Sequence, residues 1–190
     1  MNFLTKLKEA FPERTTAETI ITTPQVFVLE DAVSQRSSIV EEKTYHCFEI
    51  TKTEDIGPLV HICTDGDFIK RGEFYRGSLL PNNRSDSLIF SSQQILFLEL
   101  KLNVEDRNSS REIFKGIDQL ENFFTFLIEN LTEEIFHSYF KTESTFFRIG
   151  IRATPNTRWQ RNQEFINRKA QFGGKTGWYD LEYSISFNFN

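Results

Sequence analysis

The sequence predicts an α/β fold of the α+β kind, with a mixed central sheet flanked by helices. Three observations carry this. Stretches rich in Phe, Ile, Val and Leu alternate with polar residues at the period of a strand, and 20 Phe against one Met point to an aromatic, sheet-bearing core. Two other stretches, residues 2–12 and the segment after Ser109, space their apolar residues for one face of a helix. The order is helix, strands, hairpin, helix, strands, which is not the strict alternation of a doubly wound sheet.

Taken in order, residues 2–12 form an amphipathic helix with Phe3, Leu4, Leu7 and Phe11 on one stripe before Pro12. "TIITTPQVFVLEDAV" holds a short extended piece and then a helix starting near Pro24. "TYHCFEITK" and "GPLVHICTDGDFIKR" are strands on either side of a polar loop, and "RGSLLPNNRS" is turn-rich. "SDSLIFSSQQILFLELKLN" is a hairpin of two apolar strands. "NVEDRNSS" is a loop, and Ser109 with Glu112 fits a capping box for a helix carrying Ile113, Ile117, Leu120, Phe124, Leu127 and Leu131 on one face. "TEEIFHSYF" is a second helix and "TFFRIGIRA" a strand. "RWQRNQEFINRKA" is a loop or short helix, "QFGGKTGW" a flexible turn, and "YDLEYSISFNF" a closing strand. There is no internal repeat or linker, so residues 1–190 are expected to form one domain.

No run of about 18 uncharged apolar residues occurs, which argues against a membrane span. The N-terminal segment lacks the apolar core of a secretory signal, and two cysteines make no disulfide framework. These features lead us to expect a cytoplasmic chain with no membrane partner. The sequons at Asn108 and Asn130 would then be unused. Net charge is −5, but it is unevenly placed. Residues 1–140 hold 14 Lys/Arg and 23 Asp/Glu, whereas residues 141–178 hold eight Lys/Arg and two Glu. An acidic body with one basic segment suits a lobe that holds a polyanion, and equally a solvated, ion-paired surface.

The hairpin concentrates the chemistry. Alternation puts Leu96, Leu98, Leu100 and Leu102 on one face and Phe97, Glu99 and Lys101 on the other. With "SSQQ" as the turn, Phe90 pairs with Ile95, and Asp86 then stands opposite Glu99, and Arg84 opposite Lys101. Two facing carboxylates repel unless a cation lies between them, and a hard divalent ion such as Mg²⁺ or Mn²⁺ takes carboxylate and carbonyl oxygens. Asp86, Glu99 and the backbone carbonyl of Leu100 are the expected ligands. Lys101 projects from the same face, where its ammonium orients an attacking water. A one-residue slip would abolish the site.

Asp86, a short hairpin, then Glu99-Leu100-Lys101 at the end of an apolar strand resembles the D…ExK signature of the PD-(D/E)XK nucleases. That superfamily includes restriction endonucleases, Holliday-junction resolvases and RecB-like exonucleases. Gln119, on the following helix with Lys115 and Glu112 on its stripe, resembles the Gln that many RecB-like members place beside the metal. The resemblance covers about residues 76–128, and Ser85 stands where the family usually has Pro. It implies a restriction-endonuclease-like fold, hydrolysis of DNA or RNA, Mg²⁺ or Mn²⁺ as cofactor, and action as a homodimer or within a larger assembly. It also implies a further acidic residue from the first helix, with Glu30, Glu41 and Glu42 all open as that residue. Arg148, Arg152, Arg158, Arg161 and Lys175, interleaved with Trp159, Phe165, Phe172 and Trp178, are the residues expected to hold nucleic acid.

Other constellations point elsewhere or nowhere. His46 and Cys47, like neighbours on any strand, face opposite ways, so with His61 and Cys63 they do not make a zinc site. "GGKT" at 173–176 lacks the earlier glycine of a phosphate loop, since position 169 is Lys. The same residues are also compatible with a non-catalytic binding module on this scaffold, or with an unrelated α+β protein of the immunity type.

Overall fold

The computed structural model describes residues 3–12, 14, 18–31, 36–64, 68, 74–75, 78–79, 86–102, 109–151, 163–177 and 180–190. Along the chain these form α1 (Phe3–Ala10), β1 (Glu18–Ile21), β2 (Gln25–Glu30), β3 (Ser37–Val40), β4 (Phe48–Lys52), β5 (Leu59–Cys63), β6 (Phe74–Tyr75), β7 (Ser78–Leu79), β8 (Ser87–Phe90), β9 (Ile95–Lys101), α2 (Ser109–Asn130), α3 (Glu133–Tyr139), β10 (Thr145–Ile151), α4 (Gln163–Thr176), β11 (Leu181–Ser184) and β12 (Ser186–Phe189).

The strands build a six-stranded sheet in the order β1-β5-β8-β9-β10-β11, a four-stranded sheet in the order β12-β4-β2-β3, and the small β6–β7 pair. Both larger sheets are mixed, so the fold is α+β. In the first, β1, β5, β8 and β9 run antiparallel, and β10 then joins β9 in parallel over seven residue pairs, Thr145↔Ile95 through Ile151↔Lys101. Parallel neighbours need a long crossover, and α2 with α3 supplies it. α4 plays the same part between β10 and the parallel strand β11.

The alternation within β9 separates two cores. Ile95 and Phe97 face the helices, in a cluster with Phe3, Leu7, Ile113, Ile117, Leu120, Phe124 and Phe172. Phe97 is fully buried, with ring centroids 5.0 Å from Phe147, 5.3 Å from Phe124 and 5.9 Å from Phe123. Leu96, Leu98, Leu100 and Leu102 face the other way, against Val26, Val28, Phe48, Ile50, Phe187 and Phe189 of the second sheet. β9 is therefore covered on both faces, by helices on one and by a sheet on the other. Among the described residues, no helix is long and apolar enough to cross a membrane.

Three expectations are corrected. No helix begins near Pro24: "QVFVLE" forms β2, because its β-branched and aromatic side chains pack on a sheet, with Val26, Phe27 and Val28 buried. Of the two readings open for "RWQRNQEFINRKA", the helix holds from Gln163, and it runs on through the segment expected as a flexible turn to form the 14-residue α4. Gly173 is buried inside that helix, and the stop lies later, at Gly177, whose φ of +74° and N–H bond to the Gly173 carbonyl at 2.8 Å form a left-handed cap. The closing strand is two strands, β11 and β12, one in each large sheet, with exposed Ile185 between them.

Candidate functional site

Phe90 pairs with Ile95, Ile89 with Leu96, Leu88 with Phe97 and Ser87 with Leu98. This is the register that the turn and the apolar pattern require, and it brings Asp86 abreast of Glu99. The Asp86 N–H donates to the Leu98 carbonyl at 3.0 Å, and Asp86 Oδ2 accepts the Leu100 N–H at 2.6 Å. Leu100 therefore turns its backbone polar groups to the Asp86 side of β9, because the N–H and C=O of one strand residue point the same way.

Both carboxyls are buried, Asp86 at 5% exposure and Glu99 at 1%. Glu99 Oε1 accepts from the Lys101 ammonium, and Lys101 Nζ also donates to Gln119 Oε1 at 3.0 Å. Glu99 Oε2 is buried and has no hydrogen-bond partner among the described residues. α2 approaches Glu99 closely because Gly116 lies where it passes: a Cβ there would sit 3.3 Å from Glu99 Cγ and 3.4 Å from two carbons of Ile149. Gln119 follows one turn later on the same helix face. Asp86, Glu99, Lys101 and Gln119 are thus brought together, with Lys115 close enough for its charge to act on Glu99.

Burial governs the electrostatics. It drives the Asp86 carboxyl well above its ordinary range, and the neighbouring Glu99 charge pushes it further in the same direction. Burial likewise lifts Glu99 to about 7, against the opposing pull of Lys101. For Lys101 burial works downward, but the charges of Glu99 and Asp86 prevail and raise it. A third acidic residue is felt by all three: Glu30, at the end of β2, opposes ionisation of Asp86 and Glu99 and favours that of Lys101. Its cross-strand partner in β3 is Ser37, whose hydroxyl donates to the Asp86 carbonyl at 2.7 Å. Glu30 thus comes from a strand of the second sheet rather than from a helix, and Glu41 and Glu42 are exposed beyond the end of β3.

Among the described residues, no group of three or more His, Cys, Asp or Glu is placed to hold a metal ion. The donor set that is present, two buried carboxylates with one oxygen left without a partner, fits a hard divalent cation completed by water and carbonyl oxygen. Two like charges that close in a desolvated site are held apart in pKa by mutual repulsion, and a cation removes the conflict.

No family model matches the chain, and no curated protein or solved structure matches it either. The site is therefore read from its own geometry.

Of the residues expected to hold nucleic acid, Arg148 and Lys175 are described, and both are ion-paired within the fold. Arg148 is buried at 8% exposure on the opposite face of the sheet from Glu99, since its neighbour Ile149 is the residue that lies beside Glu99. Its guanidinium donates to Asp180 Oδ1 at 2.9 Å and to the carbonyls of Phe147 and Asp180 at 2.9 and 3.0 Å, and lies over the rings of Phe146 and Phe187. Lys175 is exposed but pairs with Glu121 of α2 at 2.6 Å, and Arg168 pairs with Asp118. Arg152, Arg158 and Arg161 lie outside the described residues. Cys47 and Cys63 form no disulfide with each other, and His61 is buried. Sequence reasoning passed over Ser37, His61 and Gly116. A lone serine or glycine carries no signal until its neighbours are known, and His61 was weighed only as a zinc ligand.

Proposed function

We propose that the chain is a metal-dependent nuclease that hydrolyses phosphodiester bonds of DNA, or of RNA, at the Asp86–Glu99–Lys101 site. The observation that carries this reading is the buried Oε2 of Glu99, without a partner among the described residues and set beside a second buried carboxylate and an ammonium on one hairpin. Asp86 and Glu99, with the Leu100 carbonyl, would hold Mg²⁺ or Mn²⁺. When bound, such an ion acidifies a water ligand and offsets charge on the phosphate. Lys101 then orients the attacking water and steadies the negative charge that develops on the phosphate oxygens. Gln119 holds the Lys101 amine in place through its Oε1. The hairpin and the mixed sheet, with helices against one face, are in keeping with the resemblance to PD-(D/E)XK nucleases.

The test is incubation of the wild type and Lys101→Ala with labelled single- and double-stranded DNA and RNA, each with Mg²⁺, Mn²⁺ or EDTA. Cleavage is expected with either metal, absent in EDTA, and reduced about a hundredfold or more by the substitution. Cleavage that survives EDTA, or no cleavage of any substrate, overturns the reading.

A second reading, a non-catalytic interaction module on the same scaffold, is favoured by the pairing of Arg148, Arg168 and Lys175 within the fold, which leaves these cations engaged rather than offered to a polyanion. It predicts no heat on titration with Mn²⁺ and no cleavage.

A further inference from the structure

The interface between the two large sheets is largely apolar, but besides the buried Arg148 it holds a cluster of polar side chains. There His61 of β5, Ser87 of β8 and Ser37 of β3 are buried at 2%, 0% and 6% exposure. His61 Nε2 lies 3.1 Å from Ser87 Oγ and 3.4 Å from Ser37 Oγ. Ser87 Oγ donates to Ser37 Oγ at 2.8 Å, and Ser37 Oγ donates to the Asp86 carbonyl at 2.7 Å.

The direction of these bonds is fixed. A carbonyl only accepts, so the Ser37 proton points at Asp86. The Ser87 proton is committed to Ser37, so the bond between Ser87 and the imidazole needs its hydrogen on Nε2. Every donor in the chain therefore faces Asp86. Burial holds His61 down at about 4, so the ring is neutral at ordinary pH and carries a single N–H. Three polar side chains in an apolar seam do not improve the packing there, because replacing a satisfied buried set by apolar groups of similar shape is close to neutral for stability. The bonds end on one residue, and that residue presents its carboxylate to the site.

Resting on the nuclease reading above, we propose that His61, Ser87 and Ser37 are positioning residues that fix the backbone of Asp86 and so aim its carboxylate at a divalent cation. The Asp86 carbonyl also accepts the Thr64 N–H at 3.1 Å, and the Asp86 N–H is bound to Leu98. The serine relay adds a restraint that comes from the second sheet. β3 is an edge strand of that sheet, and through Ser37 it reaches across the layers to the residue that starts the hairpin. None of the three touches the cation or substrate. Their effect runs through Asp86, as outer partners of metal ligands commonly act.

The experiment is calorimetric titration of Mn²⁺ into the wild type, Ser37→Ala, Ser37→Thr and the apolar triple variant Ser37→Ala/Ser87→Ala/His61→Phe, each with its thermal midpoint and its DNA cleavage rate. Ser37→Ala is expected to weaken Mn²⁺ binding about tenfold, Ser37→Thr to restore it, and the triple variant to keep a near-native midpoint while binding Mn²⁺ as weakly as Ser37→Ala. Mn²⁺ affinity unchanged in Ser37→Ala overturns the positioning role and leaves the nuclease reading standing. Affinity that falls only in step with the midpoint across all variants overturns it as well, in favour of a purely structural network. A wild type that neither binds Mn²⁺ nor cleaves overturns both readings. If Ser37→Ala does not fold, Ser87→Ala cuts the relay one bond further from Asp86 and is judged by the same outcomes.

Discussion

The backbone N–H of Leu100 donates to the carboxylate of Asp86 at 2.6 Å, so a side chain makes the last rung of the β8–β9 ladder. Asp86 thus has two duties that chemistry can separate. Asp86→Asn keeps an oxygen for the Leu100 amide and loses the negative charge, whereas Asp86→Ala leaves that buried amide unsatisfied. The alanine variant is expected to lose about 1–3 kcal/mol of stability. The asparagine variant is expected to stay within about 1 kcal/mol of wild type and still fail to take up Mn²⁺. Chemical denaturation alongside calorimetric Mn²⁺ titration checks both halves.

Arg148 is buried and paired within the fold, which predicts a structural rather than a substrate-holding role. It is bonded to Asp180 and to two carbonyls, and stacked over Phe146 and Phe187. Arg148→Ala removes charged hydrogen bonds and packed stem carbons together, and should cost about 2–3 kcal/mol in urea denaturation. Affinity for a DNA oligonucleotide, and its dependence on salt, should remain within about twofold of wild type, because no phosphate contact is lost. A salt slope that falls by about one unit would return Arg148 to the nucleic-acid surface.

His61 makes stability depend on pH. Burial lowers its pKa from 6.5 to about 4 in the folded chain. Between those values the unfolded chain binds the extra proton and the folded chain does not, so stability rises with pH across the window and is lost as pH falls from 6.5 toward 4. For a fully buried ring the span amounts to on the order of 3 kcal/mol. Urea denaturation of wild type and His61→Gln at pH 7.5 and pH 4.5 isolates it, because other titrations cancel in the difference. The wild type should lose more stability than the variant on acidification, and equal losses would show that the imidazole is not desolvated.

The parts of the fold that local pattern specifies were legible. The β8–β9 register followed from a short polar turn and strict alternation, and α2 from apolar residues at helical spacing that are buried as expected. What failed were places where one residue type serves two purposes. Pro24 looked like a helix start, but the Val and Phe that follow it prefer a sheet. Gly173 and Gly174 looked like a turn, but both lie inside α4, where Gly173 is buried, and Gly177 makes the stop. In the site, Asp86, Glu99, Lys101 and Gln119 were within reach because hairpin register and helix spacing place them. The burial of Arg148 was not legible, and Ser37 and Glu30 could not be placed, for one shared reason. A strand's alternation shows that it has two faces, but it does not show what covers each. The second sheet lies over the Arg148 face of β10 and brings Ser37 and Glu30 to Asp86.

β11 ends at Ser184 in one sheet and β12 begins at Ser186 in the other, so Ile185 alone joins the layers there. One residue reaches at most about 3.6 Å. The edges of the two sheets are therefore tethered at that point, and local slippage there is limited to about the reach of one residue. On the other face of β9 the cover over Glu99 is α2, whose close approach depends on the missing side chain of Gly116.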